Sequence, residues 1–243
     1  MKPRTHKQDT RVIVYDADLI EHPGTELFDA ESWEQSGSLV GRAEGRGSAL
    51  LLETSFGPAV LRRYLRGGWP ARISRDRYLF TGFGRSRPLS EFNILLTLSG
   101  MGLPVPHPLA AQCVRDGLLY TGSLLTRRIP DVVPLAELLG HDEAGADLWR
   151  ACGACIRRFH DRGLVHADLN ARNILVRDLE AIYLIDFDRA RIRKGAQRSF
   201  AANLKRLRRS LDKLWPGGER QNQHKTSTSH KQGKRVQPEV NKS

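Results

Sequence analysis

The run HADLNARN at residues 166–173, followed by YLIDFD at 183–188, decides how this chain is read. Asp168 precedes Asn173 by five residues, and Asp186 follows Asn173 by thirteen. A short apolar run, Ile174-Leu175-Val176, lies between them, and a second apolar run leads into Asp186. That pattern predicts two short strands with polar residues at their ends, on loops of the kind that carry function. A solvated turn is the plain alternative, but it leaves three such polar residues beside apolar strands without a purpose.

Working outward, residues 144 to 162 form a long amphipathic stretch that breaks at Gly163, and VPLAELL at 133–139 starts a helical region. Downstream, Phe200, Leu204, Leu207, Leu211 and Leu214 recur at spacings of four, three, four and three, an apolar stripe on a final helix. Upstream, Leu39 to Tyr64 reads as strands joined through a glycine-rich bend and a tight turn at TSFGP. RPLSEFNILLTLSGMG follows as one helix, with Ser90 as N-cap and Gly100 or Gly102 as terminator. LPVPHPLAA is a proline-rich crossing, and LLYTGSLLTRRI predicts one or two further strands.

The chain is therefore read as α+β: an arm at 1–35 with one short strand at RVIVY, a β-rich lobe with one main helix at 36–128, a compact, mainly helical lobe at 129–215, and a disordered basic tail at 216–243. With 40% hydrophobic and 27% charged residues, the bulk of the 243-residue chain has globular rather than disordered composition. A net charge of +12 implies an acidic partner: nucleic acid, an anionic membrane surface or a phosphorylated substrate. Cys152 and Cys155 form a C-x-x-C within a helical stretch, with no second ligand pair at zinc spacing, so packed, reduced thiols are expected. No signal-like apolar stretch opens the sequence and no run has membrane-spanning length, so the cytoplasm is the expected compartment.

HADLNARN and YLIDFD resemble the H-R-D-L-x-x-x-N and D-F-G pair of the protein-kinase superfamily, with Ala167 in place of the Arg and Asp188 in place of the Gly. The resemblance implies a bilobal protein-kinase-like fold that uses ATP and Mg²⁺. Phosphoryl transfer demands positioning and charge neutralisation more than covalent work. Asp186 and Asn173 supply the hard oxygens that Mg²⁺ takes, and Asp168 is left to orient the acceptor hydroxyl and take its proton. His166 either holds the loop by hydrogen bonds or acts directly. Arg172 either neutralises transferring phosphate or pairs with an acidic neighbour. Asp188 either assists the metal or caps the basic stretch that follows.

The upstream strands add support. GRAEGRGSALLL can form a glycine-rich turn whose backbone N–H groups cover phosphates, with Gly45, Gly47 and Ser48 at its centre. Arg62 in AVLRRY stands where the kinase V-A-I-K lysine would stand, with Glu91 on the next helix as its partner and Arg63 as a rival. Arg keeps the charge but forks onto oxygens with a different geometry. Thr126, Arg127 and Arg128 are expected at the hinge between lobes, where backbone groups would meet adenine.

VLRRYLRGG, RDRYLFTGFGRSRPLSEF, GLPVPHPLAA, HADLNARNIL and YLIDFDRAR together look like the 3-deoxy-D-manno-octulosonic acid (Kdo) kinases of the lipopolysaccharide core kinase family, from about Ser36 to Leu214. The resemblance implies ATP-dependent phosphorylation of the 4-hydroxyl of Kdo on a lipid A precursor, at the cytoplasmic face of the bacterial inner membrane. About fifty-seven residues remain after Asp186, with no A-P-E element, which argues against a protein-substrate platform. Arg189, Arg191, Arg193, Lys194, Arg198, Lys205, Arg206, Arg208 and Arg209 follow without an intervening acid and suit a phosphorylated glycolipid or an anionic membrane surface; a solvated helix face is the plain alternative. A heptose kinase or aminoglycoside-type phosphotransferase would keep the mechanism and change the acceptor. A small atypical protein kinase would more typically carry the usual lysine and D-F-G, and a nucleic-acid binder would leave the Asp168, Asn173, Asp186 set without a role. No specific nucleic acid is expected, and the oligomeric state is open.

Overall fold

The structure is a computed structural model that describes residues 1–43, 49–65, 76–139 and 145–214. In chain order it runs β1 (Pro3–Gln8), β2 (Arg11–Asp16), a 3₁₀ turn (Thr25–Phe28), α1 (Ala30–Gln35), β3 (Leu39–Ala43), β4 (Ala49–Thr54), β5 (Gly57–Arg63), β6 (Tyr78–Leu79) and α2 (Arg87–Gly100). Next come β7 (Pro108–Asp116), β8 (Leu119–Arg127), β9 (Val133–Pro134), α3 (Leu135–Leu138) and α4 (Ala146–Asp161). The chain continues through β10 (Leu164–Val165), β11 (Ile174–Val176), β12 (Ile182–Leu184) and β13 (Arg191–Ile192) to α5 (Gln197–Leu214). The fold is thus mixed α/β around a mainly antiparallel sheet.

Eight strands form the large sheet in the order β1-β2-β7-β8-β5-β4-β3, with β6 on β8, and every pair is antiparallel. The first 35 residues are therefore not an arm. Val12 and Ile13 are buried on opposite faces of the sheet because successive side chains of a strand alternate, and this β2 pairing draws β1 in as the edge. On one face Ile13, Leu52, Leu61 and Leu125 pack under Leu27 and Phe28 of the 3₁₀ turn and Trp33 of α1. On the other, Phe92, Leu95 and Leu98 of α2 join Leu124 and Ala111. That second cluster continues without a break into Leu135 of α3, Ile156 and Phe159 of α4, and Phe187.

α2 starts earlier than its sequence suggests. Ser86, not Ser90, is the N-cap, and Ser90 N–H already donates to the Ser86 carbonyl at 2.9 Å. Pro88 in the first turn explains the shift, since its fixed φ is pre-organised for helix and its missing N–H needs no partner there. Gly102, with φ 68°, ends the helical run in the left-handed conformation that glycine takes without penalty. α5 turns most of its apolar stripe to the protein: Leu207 is buried, Leu211 and Leu214 pack on the core, and Phe200 stacks on His160. Leu204 is 49% exposed and stands outside that packing. Cys113, Cys152 and Cys155 are buried free thiols; burial pushes Cys152 up to about 11 and Cys155 up to about 12, so neither behaves as a thiolate near neutral pH.

Gly122 of β8 lies where α2 crosses the sheet. A Cβ there would stand 2.5 Å from Pro88 Cγ and 2.8 Å from the Gln112 carbonyl oxygen. Gly122→Ala is expected to lower the unfolding free energy by about 1–3 kcal/mol, the usual scale of overpacking. The readout is the urea midpoint at unchanged slope; a wild-type midpoint would mean that α2 gives way without cost.

Candidate active site

β5 and α2 bring the first charged cluster together. Arg62, at the end of β5, faces α2, while the next residue points the other way because strand side chains alternate, and Arg63 pairs with Asp76. Arg62 Nη2 meets Glu91 Oε2 at 2.5 Å and Nη1 meets Asp186 Oδ1, so one guanidinium joins strand, helix and the loop after β12. Tyr64 hydroxyl donates to the same Glu91 oxygen, and Glu91 Oε1 accepts the Phe187 N–H at 3.1 Å. Glu91 is only 3% exposed, so both of its oxygens need partners, and both have them. Burial opposes the charge on Arg62, yet the Glu91 and Asp186 carboxylates outweigh it and hold the guanidinium protonated well above its ordinary range. Burial and the neighbouring Glu91 charge push the Tyr64 phenol well up, so it remains a neutral donor.

The two loops of the HADLNARN and YLIDFD runs close on one another through backbone contacts. Ile185 N–H donates to the Asn173 carbonyl at 3.1 Å, and β11 pairs with β12. Asp186 adopts a left-handed φ of 63°, a conformation aspartate tolerates better than most residues, and turns the chain between Ile185 and buried Phe187. Asn173 donates through Nδ2 to the Asp168 carbonyl at 2.8 Å, which leaves its Oδ1 as a free-facing acceptor. With the half-exposed Asp186 carboxylate, that oxygen is a hard donor of the kind Mg²⁺ accepts, so the residues present fit the ion.

His166 is 2% exposed, and its role is legible from its two bonds. Nδ1 accepts the Asp168 N–H at 3.1 Å, so Nε2 carries the proton and donates to the Ile185 carbonyl at 3.0 Å. Burial lowers its pKa and keeps the ring neutral. His166 thus ties the backbone of one loop to the strand that carries Asp186, the structural role among the two expected.

α5 supports this loop, a contact that the spacing of its residues alone does not announce. Asn203 Oδ1 accepts the His166 N–H at 3.0 Å, and Asn203 Nδ2 donates to the His166 carbonyl at 2.6 Å. Ser210 Oγ accepts the Ala171 N–H at 3.2 Å, and Arg206 Nη1 lies 3.2 Å from Asp168 Oδ1. Residues 203, 206 and 210 fall on neighbouring positions of one helix side. The available signal was Asn203, a polar residue between Phe200 and Leu207 on an otherwise apolar stripe. Arg87, also unflagged, forms a two-pronged pair with Asp188 through Nε at 2.8 Å and Nη2, with its guanidinium over the Tyr78 and Tyr64 rings. Asp188 is therefore held by Arg87 rather than capping the basic stretch.

The other expected residues are more scattered. Thr126 lies near the end of β8, opposite Val60 of β5 and Pro108 of β7. The Arg127 and Arg128 N–H groups bond the His107 and Pro58 carbonyls, so they are not donors for a base. A cavity of about 750 Å³ opens beside them, lined by Ile129, Pro130 and Val133 among others. Arg172 is exposed, its N–H held by Asn170 Oδ1 at 2.9 Å, with no carboxylate partner among the described residues. Gly45, Gly47 and Ser48 lie outside the described residues.

The strand–helix charge cluster and the paired loops fit a kinase, a phosphotransferase with an alcohol group as acceptor, and the comparison with known families shows that class. The lipopolysaccharide kinase (Kdo/WaaP) family matches residues 30–234, and the chain belongs to that family. A 3-deoxy-D-manno-octulosonic acid kinase of Xanthomonas axonopodis pv. citri is 47% identical over 202 residues, covering 83% of this chain and 80% of the relative. Kinases of the same name from Vibrio parahaemolyticus and Photobacterium profundum are 37% and 38% identical, each over more than four fifths of both chains.

Two outcomes test this geometry. The folded His166 pKa lies below its unfolded value of 6.5, so the unfolded chain binds the extra proton. Stability is therefore expected to be full above that value and to fall as pH drops through it, with the slope reduced in His166→Asn; urea titrations at pH 7.5 and 5.5 check this. Asn203→Ala leaves two buried His166 backbone groups unpaired, at a cost of about 1–3 kcal/mol each. It is expected to lower kcat about tenfold or more while leaving KM for ATP near its wild-type value, and a uniform loss in both parameters would count against a positioning role.

Proposed function

We propose that this kinase transfers the γ-phosphoryl group of ATP to the 4-hydroxyl of Kdo on a lipid A precursor, working as a peripheral protein at the cytoplasmic face of the inner membrane. The observation that carries the reading is the loop itself: Asp168 stands exposed, with Oδ1 held by Arg206 and its backbone fixed by His166 and Asn173. Its second oxygen is left to orient an acceptor hydroxyl and take the proton as the O–P bond forms and ADP leaves. The acceptor rests on the names of the relatives, each a 3-deoxy-D-manno-octulosonic acid kinase.

Asp186 and Asn173 would hold Mg²⁺, which supplies charge neutralisation to the nucleotide phosphates when bound. Arg62 fixes the Asp186 carboxylate and keeps a positive charge at the junction of β5, α2 and the metal loop, the post a lysine takes in protein kinases. Phe187, buried against Phe159, anchors the turn on which Asp186 sits. Among the described residues no helix is long and apolar enough to cross a membrane, so contact with the acceptor's bilayer falls to surface charge, which at +12 favours anionic lipid.

The test is transfer of ³²P from labelled Mg-ATP to a Kdo-bearing lipid A precursor, with heptosylated core, protein and nucleic acid as parallel acceptors. Label on the Kdo lipid, reduced about 10²–10⁴-fold in Asp168→Ala, is the expected result. Label on another acceptor alone would keep the phosphotransferase and reject this substrate.

A further inference from the structure

A charged cavity lies away from Asp168, where α4 ends, β10 meets β13 and α5 begins. Its volume is about 960 Å³, and Arg157, Arg162, Arg193, Lys194, His160 and Phe200 contribute to its walls. Asp161 is the one acid on that wall, and it is engaged by Arg157 Nε at 2.8 Å. Arg162, Arg193 and Lys194 have no carboxylate partner among the described residues, so the cavity holds three uncompensated cations.

Backbone dipoles reinforce the charge. The cavity meets the first turn of α5, the positive end of the helix dipole, which favours an anion. The opposite pole of α4 is capped, because Arg162 and Gly163 N–H groups donate to the Phe159 and His160 carbonyls. Gly163 holds the wall in shape. Its φ is +78°, and a Cβ there would stand 2.6 Å from the Arg193 carbonyl oxygen, so only glycine lets the Arg193 segment approach this closely. On the apolar side the His160 ring stacks on Phe200 at 4.4 Å, and Ile192 beside them is 38% exposed. Cations beside exposed apolar surface match an amphiphile with an anionic head.

The cavity is also within reach of the catalytic loop. Gln197 on its wall and Arg206 at Asp168 are nine residues apart on α5, about 14 Å along the helix. Gly163 and Asp168 are five residues apart along the chain, at most about 17 Å. Two or three sugar rings span such a gap.

We infer that this cavity is a second acceptor subsite, which binds a phosphomonoester on the sugar backbone of the glycolipid while the hydroxyl to be phosphorylated reaches Asp168. The inference rests on the glycolipid reading above. Guanidinium forks recognise phosphate oxygens in pairs, and Arg162 and Arg193 lie on facing segments. The same chemistry could come from a phosphate headgroup of neighbouring lipid, and the experiment separates the two sources.

The variant is Arg193→Ala with Lys194→Ala, both exposed and expected to fold. Kinetics in neutral detergent micelles compare the Kdo-bearing acceptor with the same acceptor after phosphatase treatment. The expected result is a rise of about tenfold in KM for the phosphorylated acceptor, with kcat retained and no change for the dephosphorylated one. An equal effect on both acceptors, or none on either, would overturn the subsite. An effect seen only in phosphatidylglycerol vesicles would also overturn it and assign the cations to the membrane. If the wild-type protein transfers no phosphate to Kdo, the functional reading fails, and the cavity is judged by glucose 1-phosphate binding. Saturable amide shifts at Gly163 and Gly195 that vanish in the variant uphold the anion site, and their absence rejects it.

Discussion

One guanidinium organises this molecule. Arg62 stands between Glu91 and Asp186, and three elements distant in sequence, β5, α2 and the loop after β12, take their mutual positions from it. Glu91 is almost fully buried, and a carboxylate in such a place persists only if each oxygen has a partner. Arg62 and the Tyr64 hydroxyl serve one oxygen, and the Phe187 N–H serves the other. The fit of α2 against the sheet and the turn at Asp186 are therefore a single electrostatic problem with one solution. A lysine offers no fork and would not reach both acids with the same geometry. One arginine therefore holds two acids from separate elements.

The second constraint comes from the C-terminal side. His166, Asp168 and Ala171 form a loop with few strand partners, and loops of this kind need support from neighbouring elements. α5 supplies it through Asn203, Arg206 and Ser210, three polar residues on one side of a helix whose adjacent side is apolar. Packing of Leu207, Leu211 and Leu214 sets the helix, and the polar residues then set the loop. The stripe that made α5 legible as a helix is the means by which it holds the loop at His166, Asp168 and Ala171. Its outer surface carries Arg198, Lys205, Arg208 and Arg209, and its first turn borders the cavity lined by Gln197 and Phe200.

These two supports share one apolar cluster. Phe92, Leu95 and Leu98 of α2, Phe159 of α4 and Phe187 after β12 belong to it, so the charged cluster and the loop at Asp168 rest on the same packed interior. At the α2 crossing the packing is close enough that a Cβ on Gly122 would meet Pro88. The Arg87–Asp188 pair adds a polar tie on the same side of α2.

Periodicity and spacing were enough to find most elements and the candidate residues. The four–three stripe of α5, the strands around TSFGP, and the Asp168, Asn173, Asp186 spacing are local properties, and local properties survive in a linear string. The first 35 residues misread because a strand with exposed polar neighbours looks like an arm until its partner β7, about a hundred residues away, is known. The start of α2 was displaced because Pro88 reads as a breaker in a string and as a first-turn residue in a helix. Arg62 and Arg63 are indistinguishable by type, and only the direction of the β5 pleat separates them. The pairing of Arg87 with Asp188, the grip of Asn203 on His166 and the cation-lined cavity join residues from about thirty to about a hundred positions apart. Sequence alone determined which chemical groups this chain carries and in what local pattern. Tertiary structure decided which of them meet, because burial forces each charged or polar group to take a partner that only the folded arrangement provides.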